Sequence, residues 1–365
     1  EMPWLDTPKS GFVSALEYFL NQHGSKMNYV LLVACGSTAS WIKKKLLKSK
    51  GGLYNRVTRR IKLAPFNLRQ TEIFCQQKHL KLSRYQITQL YMIMGGIPFY
   101  LNELSRGKSV TQLVNDICFS PTGLLYDEYE QLYHSLFKNA ANHIAIIEAL
   151  ANNPYGLIRN QLVKKSGLAD GGTVTRTLDE LLESGFIVKY RPFQKKQKDS
   201  IYRLIDMYSL FYLRFIKDNA ANNTWQMLAN EHKYTIWTGY AYENISLLHT
   251  PQILKKLGLS GTITNVSSWY HKGNEEVQGA QIDLLIDRRD GVINLCETRF
   301  SNKEYIISKE YVAKLRRKRA AFEQVTKTKK SVVTTLVSSY PAIQNKHYLE
   351  EIHSEVSMED LFVDI

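Results

Sequence analysis

Cysteine is scarce in this chain of 365 residues. Cys35, Cys75, Cys118 and Cys296 are scattered and never form C-x-x-C. That spacing excludes a disulfide framework or a thiolate zinc cluster, and the four are expected to be reduced core residues. The histidines do not cluster either, which argues against a His/Cys zinc site. No apolar run approaches the ~20 residues needed to span a bilayer, and no signal peptide is visible, so the expectation is a cytoplasmic protein without membrane association. Carboxylates are missing from Tyr18 through Thr71, a stretch that holds Lys43, Lys44, Lys45, Lys48, Lys50, Arg56, Arg59, Arg60 and Lys62. Over the whole chain 48 Lys and Arg face 34 Asp and Glu, a net charge of +14. A second basic run is Lys314 to Arg319, continuing to Lys327, Lys329 and Lys330, and a third is Lys189, Arg191, Lys195, Lys196 and Lys198. Such runs suit a polyanion, nucleotide phosphates or a nucleic-acid backbone; a solvated face is the alternative for each.

A hydrophobic fraction of 44% over this length supports two or three domains, each with its own core. Residues 1–130 show a helical pattern from Gly11 to His23, an apolar strand pattern Tyr29–Cys35, a helical pattern from Ala39 to Lys48 and a strand pattern Thr58–Leu63. Strand, helix, strand and helix in this order imply a parallel sheet with crossovers. Leu68 to Gly95 reads as helices ending at Gly95-Gly96-Ile97-Pro98-Phe99-Tyr100-Leu101. Residues 135–205 give a helix around Ile144–Ala151, a second from Leu157 to Gly167, a third over 173–184 and strands at 185–190 and 201–204 flanking a basic loop. This is a winged helix-turn-helix pattern. Its third helix carries Thr175 and Arg176 outward, and the loop carries Lys195, Lys196 and Lys198. These are the candidate DNA contacts, opposed by Asp179, Glu180 and Glu183. Residues 206–365 hold an aromatic helix from Asp206 to Ile216, a helix beginning near Trp237, a strand pair at 280–287 and 292–299, a basic helix near 309–324 and a strand at Val332–Ser338.

The strand pair carries the sharpest chemistry. Alternation sets Asp283 opposite in direction to Ile282, Leu284 and Ile286, and sets Glu297 and Arg299 on one face. A three-residue hairpin, Arg289-Asp290-Gly291, pairs Arg288 with Val292 and so Asp283 with Glu297; a two-residue loop would separate the carboxylates. Adjacent carboxylates call for a cation, and Mg²⁺ or Mn²⁺ held by Asp283 and Glu297 is the expectation.

Two resemblances follow from these residues. EMPW at residues 1–4, LLVACGSTASW, GGLYNRVTRRIKLAPF and GGIPFYL, in that order, resemble landmarks of the archaeal-type ATPase family within the AAA+/P-loop superfamily. The resemblance implies a partial parallel-sheet P-loop ATPase domain with a helical lid, acting on ATP with Mg²⁺. It implies that Glu1 activates the attacking water, Ser37 is the polar sensor and Arg56 senses phosphate; Ser37 also reads as a helix N-cap. The phosphate loop G-x-x-x-x-G-K-[ST] occurs nowhere in the sequence. The chain therefore reads as truncated ahead of Glu1, with weak or no ATP binding as it stands. Glu243, Asp283 and Glu297-x-Arg299 together resemble the PD-(D/E)xK nuclease superfamily, and the C-terminal domain of unknown function DUF234 that accompanies this ATPase family. That implies an α/β restriction-endonuclease-like domain over 206–365 with a catalytic set of Glu243, Asp283, Glu297 and Arg299. Arg299 stands where lysine is expected; it keeps the charge but does not serve as a base, so the resemblance does not carry cleavage with it. Lys309 and Lys314 on the next helix are the alternatives. The integrated expectation is an ATPase-family protein coupled to a DNA-associated winged helix and a nuclease-like module. Its rivals are a metal-dependent nuclease and a non-enzymatic DNA-binding or assembly protein.

Overall fold

Helix starts are written into the sequence by a repeated device. Asn67, Ser83 and Ser109 accept hydrogen bonds from the backbone amides of Gln70, Gln86 and Gln112, whose side chains bond back to the capping residue's amide. These boxes launch the helices Leu68–Gln77, Arg84–Met94 and Val110–Val114. The structure, a computed structural model, describes residues 2–27, 29–36, 57–217 and 225–365. It is a mixed α/β protein. Among the described residues no helix is long and apolar enough to cross a membrane.

The parallel sheet expected in residues 1–130 is not found among the described residues. A helix, Phe12–Gln22, lays Phe12, Val13, Leu16 and Leu20 against Met2, and the Met2 amide donates to the Cys35 carbonyl at 3.0 Å. Tyr29–Cys35 and Thr58–Leu63 belong to no strand. A strand needs a ladder partner and a covered face, and Tyr29, Leu31 and Val33 are 86%, 86% and 77% exposed. Cys35 is likewise exposed, against the expectation of a core thiol, whereas Cys75, Cys118 and Cys296 are buried. Burial pushes the Cys75 thiol up to about 11, which makes it inert as a nucleophile near neutral pH. The helix expected from Ala39 to Lys48 lies outside the described residues, as do Glu1, Ser37 and Arg56.

The middle of the chain has three helices, Ala140–Ala151, Arg159–Ser166 and Gly172–Glu183, and three short strands, β1 (Leu157–Ile158), β2 (Ile187–Tyr190) and β3 (Ile201–Leu204). The strands form an antiparallel sheet of order β1-β3-β2. Leu157 and Ile158, expected to open the second helix, pair instead with Tyr202 and Ile201. Two consecutive large apolar residues gain more from closing the small sheet than from one extra helical turn.

The C-terminal sheet has strands β4 (Thr264–His271), β5 (Ala280–Arg288), β6 (Val292–Arg299), β8 (Ser331–Ser338) and β10 (Ile352–Ser357) in the order β10-β8-β6-β5-β4. A separate short pair is β7 (Tyr305–Ile306) with β9 (Ala342–Ile343). β4, β5 and β6 are antiparallel; β6, β8 and β10 are parallel. The parallel step from β6 to β8 requires a crossover, and the helix Lys309–Thr326 supplies it. Trp237, Ala241 and Ile245 of the helix His232–Leu248 pack with Leu284, Ile286 and Cys296, while Phe322 of the crossover helix packs with Leu285, Ile293 and Leu295. Sequence neighbours thus divide between the two faces, and a helix covers each. Gly291 has φ 90, and β5 pairs with β6 through Leu284↔Cys296 to Asp287↔Ile293, the register expected of a three-residue loop.

Among the contacts that hold the early helices, one is internal and one reaches the end of the helix His232–Leu248. Gly96 lies against Phe66, whose amide donates to the Gly96 carbonyl at 2.7 Å; a Cβ at Gly96 would fall 1.9 Å from the Phe66 carbonyl oxygen. The other is His249, whose Nδ1–H donates to the Ile245 carbonyl at 2.9 Å while Nε2 accepts the Leu68 amide at 3.0 Å. That role needs the neutral ring, and burial pushes His249 down to about 4. Unfolded, the ring binds its proton near pH 6.5, so the folded state loses stability as pH falls from about 6.5 towards 4. We expect denaturant midpoints to drop over this range more steeply in the wild type than in His249→Gln, by up to about 3 kcal/mol at the acid end. Parallel pH dependences of the two proteins would exclude the assignment.

Candidate functional site

The acidic residues sit where β3, β5 and the helix His232–Leu248 meet. Along β5 the pairing with β4 slips between Ser267↔Leu285 and Trp269↔Ile282, so Asp283 and Leu284 together oppose Ser268. This bulge breaks the expected alternation: Ile282 packs with Leu285, while Leu284 and Ile286 pack on the other side. It also re-aims Asp283. The Asp283 carboxylate accepts from Gln281 Nε2 at 2.7 Å and lies 3.6 Å from Nη1 of Arg203. Arg203 belongs to β3, and its side chain is only 1% exposed. Its Nη2 donates to Glu243 Oε2 at 3.0 Å. Next to it, the Leu204 carbonyl accepts from Asn244 Nδ2 at 3.0 Å, which fixes the β3 backbone against the same helical turn. One guanidinium therefore serves two carboxylates. Burial, reinforced by the negative charge of Asp283, pushes Glu243 up to about 8 despite the opposing pull of Arg203. Burial thus favours the protonated form of Glu243.

Glu297 has a different set of partners. Lys318 Nζ lies 2.6 Å from Glu297 Oε2, and the Tyr311 hydroxyl donates to Oε1 at 3.4 Å. Arg299, expected beside the acids, lies over the Tyr305 ring, 3.6 Å from its centroid, and 5.6 Å from that of Tyr311. Neither Lys309 nor Lys314 is the cation near Glu297; both are exposed. In the sequence Lys318 counts only as one cation of a basic run, not as a partner of the acids. It falls between Leu315 and Phe322 on the crossover helix, both buried, and that helical stripe was the signal that could have placed it.

The pairing of β5 with β6 runs from Leu284↔Cys296 to Asp287↔Ile293 and stops short of Asp283 and Glu297, and among the described residues the two carboxylates share no partner. No group of three or more His, Cys, Asp or Glu able to hold a metal occurs among the described residues. The donor set present does not suit Mg²⁺ or Mn²⁺. Arg203 lies on Glu243 and Asp283, Lys318 lies on Glu297, and an ion there would meet two fixed positive charges.

Of the candidate DNA contacts, Thr175, Arg176, Lys195, Lys196 and Lys198 are all exposed. Glu180, expected to repel phosphate, is tied inward: its carboxylate lies 3.0 Å from Nε2 of His143, whose ring stacks on Phe137. The loop between β2 and β3 is docked rather than free. The Phe193 amide donates to the Ser268 carbonyl of β4 at 2.8 Å, its ring packs on Phe322, and Gln194 Nε2 donates to the Thr326 carbonyl at 3.2 Å.

With the geometry in place, comparison with known proteins adds little. The chain is 25% identical over 292 residues to the uncharacterized protein MJECL04 of Methanocaldococcus jannaschii. It spans 62% of that relative's length, and the match covers 78% of this chain. No protein-family model and no solved structure matches.

The proton on Glu243 gives a pH signature. Unfolded, the group ionises near pH 4.5, so its contribution to stability is fullest below that pH and is lost as pH rises through about 8. We expect Glu243→Gln, which keeps an acceptor for Arg203 but does not ionise, to gain stability relative to the wild type between pH 6 and 9. A constant difference in denaturant midpoint across that range would exclude a proton held at Glu243.

Proposed function

We propose that this chain is a non-cleaving, DNA-associated protein of the archaeal-type ATPase plan. In this reading residues 135–205 are a winged helix that meets nucleic acid, and residues 206–365 are a restriction-endonuclease-like domain retained as a scaffold. The ATPase part rests on the motif order in residues 1–101, with Glu1, Ser37 and Arg56 in the roles the resemblance gives them. In this reading, binding and hydrolysis of ATP with Mg²⁺ would be coupled to rearrangement of the other two modules.

The observation that carries the non-cleaving reading is the Arg203 bridge to Glu243 and Asp283. Metal-dependent phosphodiester cleavage needs a cation that polarises phosphate and generates hydroxide. A buried guanidinium supplies charge without an exchangeable water, and it stays protonated. Arg299 lies on Tyr305 and Lys318 on Glu297, so neither stands free beside Glu243 and Asp283. Exposure of Thr175 and Arg176 on the third helix supports the DNA contact, since an outward helix face can enter a major groove.

Supercoiled plasmid incubated with the purified protein and Mn²⁺ at neutral pH is expected to remain intact. Nicking that disappears in Asp283→Ala would overturn the scaffold reading. Fluorescence anisotropy with a labelled duplex is expected to show binding that weakens several-fold in Arg176→Ala. Binding unaffected by that substitution would remove the third helix from the interface.

A further inference from the structure

The three basic runs of the sequence meet different fates. In the crossover helix Arg316 and Arg319 both pair with Glu351, whose side chain is fully buried, and Lys318 pairs with Glu297. Lys330 pairs with Asp287. Half of that run is therefore spent inside the fold. Lys327 and Lys329, at the end of the same helix, are exposed, and no carboxylate partner is found for them among the described residues. The same holds for Lys195, Lys196 and Lys198 in the loop after β2.

The docked loop brings these two sets together. Gln194 precedes Lys195, and Thr326 precedes Lys327; the Gln194 side chain donates to the Thr326 carbonyl at 3.2 Å. Phe193 anchors the loop in an apolar cluster with Trp269 and Phe322. Gln194 and Lys327 both have positive φ, 59 and 50, so each chain turns sharply at the junction. The acids closest in sequence are Asp199, whose Oδ2 accepts the Lys196 amide at 3.2 Å, and Glu323. Five lysines for which no carboxylate partner is found among the described residues are thus gathered at one junction, from segments more than a hundred residues apart.

We propose that Lys195, Lys196, Lys198, Lys327 and Lys329 form one composite surface for the phosphate backbone of duplex nucleic acid. The loop does not act with its own third helix alone; the end of the crossover helix completes it. Ammonium groups on flexible stems suit sequence-independent phosphate contact, and no base reading is required of them. This proposal rests on the reading of the chain as nucleic-acid-associated and adds the C-terminal domain to the interface.

The test measures duplex affinity of the full chain by anisotropy over a range of salt concentrations. Wild type is compared with Lys327→Ala/Lys329→Ala, Lys195→Ala/Lys196→Ala/Lys198→Ala, Phe193→Ala and Arg176→Ala. Each phosphate contact contributes about 0.9 to the log–log salt slope, so Lys327→Ala/Lys329→Ala is expected to lower it by up to about 1.8 and to weaken binding several-fold at low salt. Phe193→Ala removes no charge but undocks the loop, and it is expected to lower the slope as well. Unfolding midpoints of the lysine variants, whose side chains are exposed, are expected to match the wild type. If Lys327→Ala/Lys329→Ala changes neither affinity nor slope while Arg176→Ala weakens binding, the composite surface is wrong and the nucleic-acid reading survives. If the wild type binds no duplex even at low salt, both fall, and an acidic protein becomes the candidate partner.

Discussion

A buried guanidinium is the constraint on which the arrangement of this protein depends. Arg203 is out of water, and a charge in that position is tolerated only if fixed acceptors face it. Glu243 and Asp283 are those acceptors, and they come from a helix and a strand on the far side of a module boundary. Moving the β1-β3-β2 unit away from the five-stranded sheet would expose one cation and leave two carboxylates facing each other. The Asn244–Leu204 hydrogen bond and the Phe193 anchor act in the same direction. The two units are therefore held together by ion pairs, a hydrogen bond and apolar packing.

That coupling changes what the acidic cluster can do. In a metal-dependent site the carboxylates converge on an empty space that a divalent ion fills. Here the space between Glu243 and Asp283 is occupied by the protein's own cation, and Glu297 is engaged by Lys318. The bulge at Asp283 and Leu284 is the backbone event behind this difference, because it turns the aspartate towards β3. Selection for a stable inter-module contact and selection for an open metal site would make opposite demands on the same three side chains.

Charge elsewhere is divided by the same rule. Cations that can reach a carboxylate inside the fold do so, as Arg316 and Arg319 do with the buried Glu351. Those left at the surface keep their hydration and their availability to a partner. A basic run in the sequence therefore has no single meaning: Lys318 and Lys327 belong to one run and differ completely in role.

Local chemistry determined a good deal from sequence alone. Asn67, Ser83 and Ser109 with their glutamines fixed helix starts, and Arg289-Asp290-Gly291 fixed the β5–β6 register, because caps and tight turns depend on a few adjacent residues. The helix Gly172–Glu183 and its exposed Thr175 and Arg176 were legible from apolar spacing. Tertiary structure decided the rest. Arg203 reads as one residue of a short strand, and nothing within β3 announces that it meets acids 40 and 80 positions away. The bulge at Asp283 depends on how β4, itself unforeseen, pairs with β5. Tyr29–Cys35 shows the opposite error, since β-propensity without a neighbouring ladder does not make a strand. Sequence periodicity specifies which face of an element is apolar; which foreign side chain arrives at that face is set by long-range packing, and ion pairs follow from it.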